Sequence, residues 1–153
     1  MSALHVREAR PGFVAAWAPQ VILYVWREEP TVEAIGVVAA MVEEMRSSTE
    51  AAVVLGLVEE GTPTPGNEAR EALAALMQGS GGLAVASALV FEGRGFQSSM
   101  VRMVAAGLAL LARQPYPHQV FADVPSATRW LERVHGAVSA AELRALMAEA
   151  REA

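Results

Sequence analysis

Apolar residues recur along the chain in two rhythms, and the switches between them predict its elements. Residues 13–17 (FVAAW) and 21–26 (VILYVW) are short β-favouring runs separated by Ala18, Pro19 and Gln20, which predicts an opening hairpin. Thr31 is placed to cap a helix with Glu33 in its first turn. Val32, Ile35, Ala39, Val42 and Met45 then repeat at helical spacing, with Glu43, Glu44 and Arg46 off that stripe. Residues 51–58 form a continuous apolar run, the pattern of a strand covered on both faces in a parallel sheet. A second helix over about 65–77 places Ala69, Leu73, Leu76 and Met77 on one face, and Gly79-Ser-Gly-Gly82 stops it.

Residues 83–91 predict another buried strand, with a turn at 92–95. Ser98 or Ser99 then caps a long helix to about Arg113 that is apolar almost all round (Met100, Val101, Met103, Val104, Leu108, Leu110, Leu111). Pro115-Tyr-Pro117 breaks that helix, and 119–122 is a short last strand. Pro125 suits the first turn of a helix that carries Trp130, Leu131 and Val134. Ser139 to Glu142 spells a capping box, opening a helix over about 139–152 with Leu143, Leu146, Met147 and Ala150 on one face. The expected order is β-β-α-β-α-β-α-β-α-α. It predicts an α/β fold with a mostly parallel sheet of about five strands, covering helices and a mixed edge. One domain over 1–153 accommodates all of it, with a core over about 4–134.

Composition narrows the function classes. The chain has 153 residues, a net charge of −5, and twelve arginines with no lysine, so it lacks the basic surface that non-specific nucleic-acid binding needs. Without lysine there is no Schiff-base or P-loop lysine chemistry. Without cysteine there are no disulfides, thiolate nucleophiles or cysteine-ligated metals. The residues MSALHVREARPG carry no apolar core of a signal peptide, and the longest apolar run, 103–112, has ten residues against the roughly 20 that span a bilayer. A cytoplasmic protein without a membrane span or a bound cofactor is the expectation.

Two loops follow carboxyl ends of predicted strands, where open α/β sheets bind ligands. The first is EEGTPTPGNEAR, in which Glu59, Glu60, Thr62, Thr64, Gly66 and Asn67 form a candidate interaction loop. Thr64 before Pro65 suits a helix N-cap, its hydroxyl accepting from a free N–H while the proline fills the first helical position. A phosphate there would sit favourably at the helix N-terminus. The second loop offers Gly93, Arg94, Gly95, Ser98 and Ser99 as a candidate anion or ligand site, two glycines allowing close backbone approach and arginine supplying donors. Its plainer reading is a strand-to-helix turn with a capping serine, because the full Gly-x-Gly-x-x-Gly is absent. His5, His118 and His135 lack metal-ligand spacing, so no metal site is expected. No serine lies in a nucleophile elbow, and Glu59 and Glu60 point to opposite faces of a solvated rim. Tyr24 and Trp26 share a strand face, either as core beneath a helix or as a ligand surface.

The element order and the segment HQVFADVPSATRWLE, with Val120-Phe121, Asp123, Ala127 and Trp130-Leu131, resemble the STAS superfamily and its SpoIIAA-like relatives. That superfamily includes anti-sigma-factor antagonists and STAS-like proteins related in fold to lipid-binding Sec14 domains. The resemblance covers roughly 4–134. In the antagonists an Asp-Ser-Ser/Thr-Gly loop carries the serine that a partner kinase phosphorylates. The corresponding residues here are Pro63-Thr64-Pro65-Gly66, so the resemblance implies Thr64 as phosphoacceptor, with Pro63 in place of the aspartate. It implies a non-catalytic regulatory module that binds another protein; the apolar 98–113 helix or the hairpin edge separately suits self-association as a homodimer. Its Sec14 side implies the alternative, a carrier or sensor holding a small apolar or lipid-like ligand between the sheet and that long helix.

Overall fold

The computed structural model describes residues 3–93 and 115–153. The long helix expected over 98–113, and with it Arg94, Gly95, Ser98 and Ser99 of the second candidate loop, lies outside the described residues. Six strands form one sheet in chain order: β1 (His5–Arg10), β2 (Phe13–Ala18), β3 (Val21–Trp26), β4 (Ala52–Val58), β5 (Ala84–Phe91) and β6 (His118–Phe121). The sheet is mixed rather than mostly parallel. β1, β2 and β3 pair antiparallel, and β3 to β6 pair parallel.

The sixth strand is β1, which the hydrophobic pattern does not predict. Its HVREAR sequence has no alternating apolar face, and it is almost wholly exposed. Edge pairing to β2 creates it, and side chains anchor it to the first helix. Arg7 reaches Glu44 through two hydrogen bonds of 3.0 and 3.1 Å, Arg10 meets Glu33 in the same bidentate way, and His5 stacks on Trp17 at 4.3 Å. β1 therefore covers the hairpin edge on which self-association was expected. It presents instead a charged, bulged edge of the kind that resists strand pairing between molecules.

Alternation along β2 to β5 sends side chains to two cores. On one face Phe13, Ala15, Ile22, Trp26, Val54 and Ala84 pack against α1 (Val32–Arg46) and α2 (Asn67–Gly79). On the other, Val14, Leu23, Val25, Val53, Leu55, Leu57 and Val90 pack against α3 (Val124–Val134) and α4 (Ala140–Glu152). Three helices start on side-chain caps, of which Thr31 and Ser139 are the expected ones. Thr31 accepts from the Ala34 amide, Asp123 from that of Ser126, and Ser139 from that of Glu142. α1 also secures α2, because Arg46 in its last turn donates to the carbonyls of Gly79 and Gly81 at the end of α2.

α2 differs from the other helices. It starts two residues later than its sequence suggests, with Gly66 as N-cap and no side chain capping it. Pro65 is half-buried against a cavity instead of leading the helix. Of its thirteen residues only Ala69 is fully buried; Leu73, Leu76 and Met77 remain partly exposed. The helix stands away from the sheet, and the space beneath it is the cavity.

Candidate functional site

The cavity measures about 80 Å³ and lies at the carboxyl ends of the parallel strands, the edge where ligands enter open α/β sheets. Tyr24 and Trp26 of β3, Val58 of β4, Leu89 and Phe91 of β5 and His118 of β6 form its floor. Leu73, Leu76 and Met77 of α2 form its roof, and Pro30 with the 62–65 loop forms its mouth. An apolar cavity of about 150 Å³ holds a benzene ring, about twice this volume, so a ring-sized ligand would extend into the open mouth.

Tyr24 occupies its place because β4 carries a glycine opposite it. Tyr24 and Gly56 are register partners, and the tyrosine ring lies across the glycine. A Cβ at position 56 would overlap the outer ring carbons and lie 2.6 Å from the hydroxyl oxygen. Burial raises the Tyr24 pKa well above that of an ordinary phenol, so the group is a neutral phenol throughout the physiological range. Its hydroxyl makes no hydrogen bond among the described residues. Tyr116 behind α2 has a partner, its hydroxyl donating to the Met77 carbonyl at 2.8 Å.

His118 of the floor meets, behind it, a serine that sequence reasoning kept apart from it. Ser87, buried in β5, and His118 Nδ1 share a 3.0 Å hydrogen bond. A hydroxyl beside an imidazole is the start of a nucleophile–base pair. Burial lowers the His118 pKa, and among the described residues no carboxylate bonds to the ring as the third member of a triad would. The pair is a neutral polar patch in an apolar floor.

The first candidate loop divides into separate roles. Thr62 is buried and pins the loop to the sheet, its hydroxyl lying 2.7 Å from the Glu59 carbonyl and 3.1 Å from that of Trp26. Gly61, at φ 85°, makes the turn before it. Glu59 is not a free rim residue. It pairs with Arg27 at 3.3 Å and Arg151 at 3.4 Å, and Arg151 also holds Glu92 at 2.7 and 2.9 Å, tying the end of α4 to the ends of β3, β4 and β5. Thr64 is not the helix cap: it is exposed at the cavity mouth and makes no hydrogen bond among the described residues. Glu60, Gly66 and Asn67 are exposed. Gly93, at φ 125°, is the one residue of the second candidate loop within the described residues.

Among the described residues no cluster of acidic, histidine or cysteine side chains could hold a metal, and no helix is long and apolar enough to cross a membrane. The chain matches no known protein family, no curated protein and no solved structure.

Proposed function

We propose that the protein is a binding module for a small apolar ligand, a carrier or sensor rather than a catalyst. The observation that carries this reading is the cavity between α2 and the sheet, apolar on its floor and roof and opening at the carboxyl ends of the parallel strands. Binding is favoured over catalysis because, among the described residues, no charged group completes a reactive constellation with Ser87 and His118.

Native mass spectrometry of the freshly purified chain, followed by the same sample denatured, tests this together with a toluene titration of the Met77 methyl signal. A bound mass lost on denaturation, or a saturable toluene shift that disappears in Leu73→Trp, supports the reading. A bare chain that also ignores toluene overturns it.

A second reading, the STAS-like regulatory module that meets another protein, is favoured by the free hydroxyl of Thr64 at an N-terminus that no side chain caps. A phosphate on Thr64 would be drawn towards the exposed N–H groups of α2. Under this reading Thr64→Glu changes partner capture in a pull-down while Thr64→Ala leaves the fold intact. Equal capture by the wild type and Thr64→Glu rules the switch out.

A further inference from the structure

The polar atoms in the cavity wall define the ligand more narrowly than its apolar surface does. Among the described residues fourteen line it, and none of these is aspartate, glutamate, lysine or arginine. Its ionisable side chains are Tyr24 and His118, both pushed by burial towards their neutral forms. A charged ligand would leave water without a counter-charge to meet it, a penalty that apolar contacts of this size do not offset. His118 Nδ1 is already engaged by Ser87, and the hydroxyl of Thr62 by the Glu59 and Trp26 carbonyls. The Tyr24 hydroxyl has no such partner among the described residues, and it is held in place because its ring rests on Gly56. Tyr24 is only partly buried and lines the cavity, so its hydroxyl is open to a ligand atom that donates or accepts there.

Resting on the proposed ligand-binding function, we infer that the cavity takes a small uncharged molecule, one apolar ring or short chain bearing a single hydroxyl or carbonyl, which hydrogen-bonds to the Tyr24 hydroxyl. Tyr24 is then the specificity residue of the site, and Leu73, Leu76 and Met77 supply shape without selecting for a polar group.

Three probes of similar size separate the parts of this inference. Toluene, phenol and benzoate are titrated at neutral pH against the full chain, with the Met77 methyl and Trp26 indole signals followed by NMR. Phenol is expected to bind about tenfold tighter than toluene, the effect of one buried hydrogen bond, and benzoate at least tenfold weaker than phenol. In Tyr24→Phe, which removes only the hydroxyl, phenol and toluene should bind within about twofold of each other, with toluene unchanged from wild type. Equal binding of phenol and toluene by the wild type overturns the polar-group assignment while leaving an apolar pocket. Retention of the phenol preference in Tyr24→Phe overturns the role of Tyr24. Benzoate binding as tightly as phenol overturns the requirement for an uncharged ligand. If none of the probes binds, the pocket reading itself fails.

Discussion

Gly56 and Tyr24 form a single device, a ring and the gap that receives it. Replacing a strand glycine by alanine ordinarily gains about 0.5–1 kcal/mol in backbone entropy. Here the new methyl would enter the space of the tyrosine ring, so Gly56→Ala should instead destabilise by about 1–3 kcal/mol and drive Tyr24 into the cavity. A lowered urea midpoint together with loss of the toluene response checks both halves. His118 sets a second expectation at the same scale. Burial lowers its pKa from the ordinary 6.5, so the unfolded chain takes up a proton before the native state does as pH falls. Stability is therefore complete above about pH 6.5 and declines below it, by at most about 1.4 kcal/mol per pH unit from this group. His118→Gln should flatten urea midpoints measured between pH 7 and 5; an unchanged slope would assign the acid sensitivity elsewhere. Neither pairing is visible in the one-dimensional sequence. Tyr24 and Trp26 show as a shared aromatic face, but Gly56 lies in an apolar run whose strand register had to be known before its partner could be. Ser87 and His118 are separated by 31 positions, and nothing in either neighbourhood marks the other.

At the scale of elements, legibility followed the strength of local chemistry. Thr31, Asp123 and Ser139 each sit where a side-chain oxygen meets a free amide, and their helices begin there. Pro65 offered an equally good local start for α2, yet packing of that proline on the cavity moves the cap to Gly66. The contrast is measurable: Asp123→Ala should cost about 1 kcal/mol in chemical denaturation, and Thr64→Ala should stay within about 0.5 kcal/mol of wild type. A loss of about 1 kcal/mol in Thr64→Ala would restore the capping role. β1 was illegible for a different reason. A strand held by edge pairing and surface ion pairs leaves no hydrophobic period to detect.

At the scale of the whole molecule, the two faces of the sheet are unequally closed. Beneath α3 and α4 the core is tight, with Leu131, Leu143, Leu146 and Met147 almost wholly buried. Beneath α2 it is open. Leu146→Ala should therefore cost about 2–5 kcal/mol, whereas Leu73→Ala, at the half-lined roof, should cost clearly less. Equal losses in thermal or urea unfolding would contradict the picture of α2 standing off the sheet. An α/β layered fold was readable from alternating elements, but the cavity was not, because it depends on how far one amphipathic helix sits from its sheet.

The strand order has a consequence for how the chain reaches this state. Each strand pairs with its neighbours in sequence, so the sheet can assemble outward from the two hairpins, each later strand closing one crossover from residue 26 to 52, 58 to 84 or 91 to 118. The exception is α4, which follows every strand yet returns to pack on β2 and β3, while Arg151 fastens its end to Glu59 and Glu92 beyond β4 and β5. In kinetic terms sheet growth is the fast, local phase. Docking of α4 is the long-range closure, and it should set the folding rate.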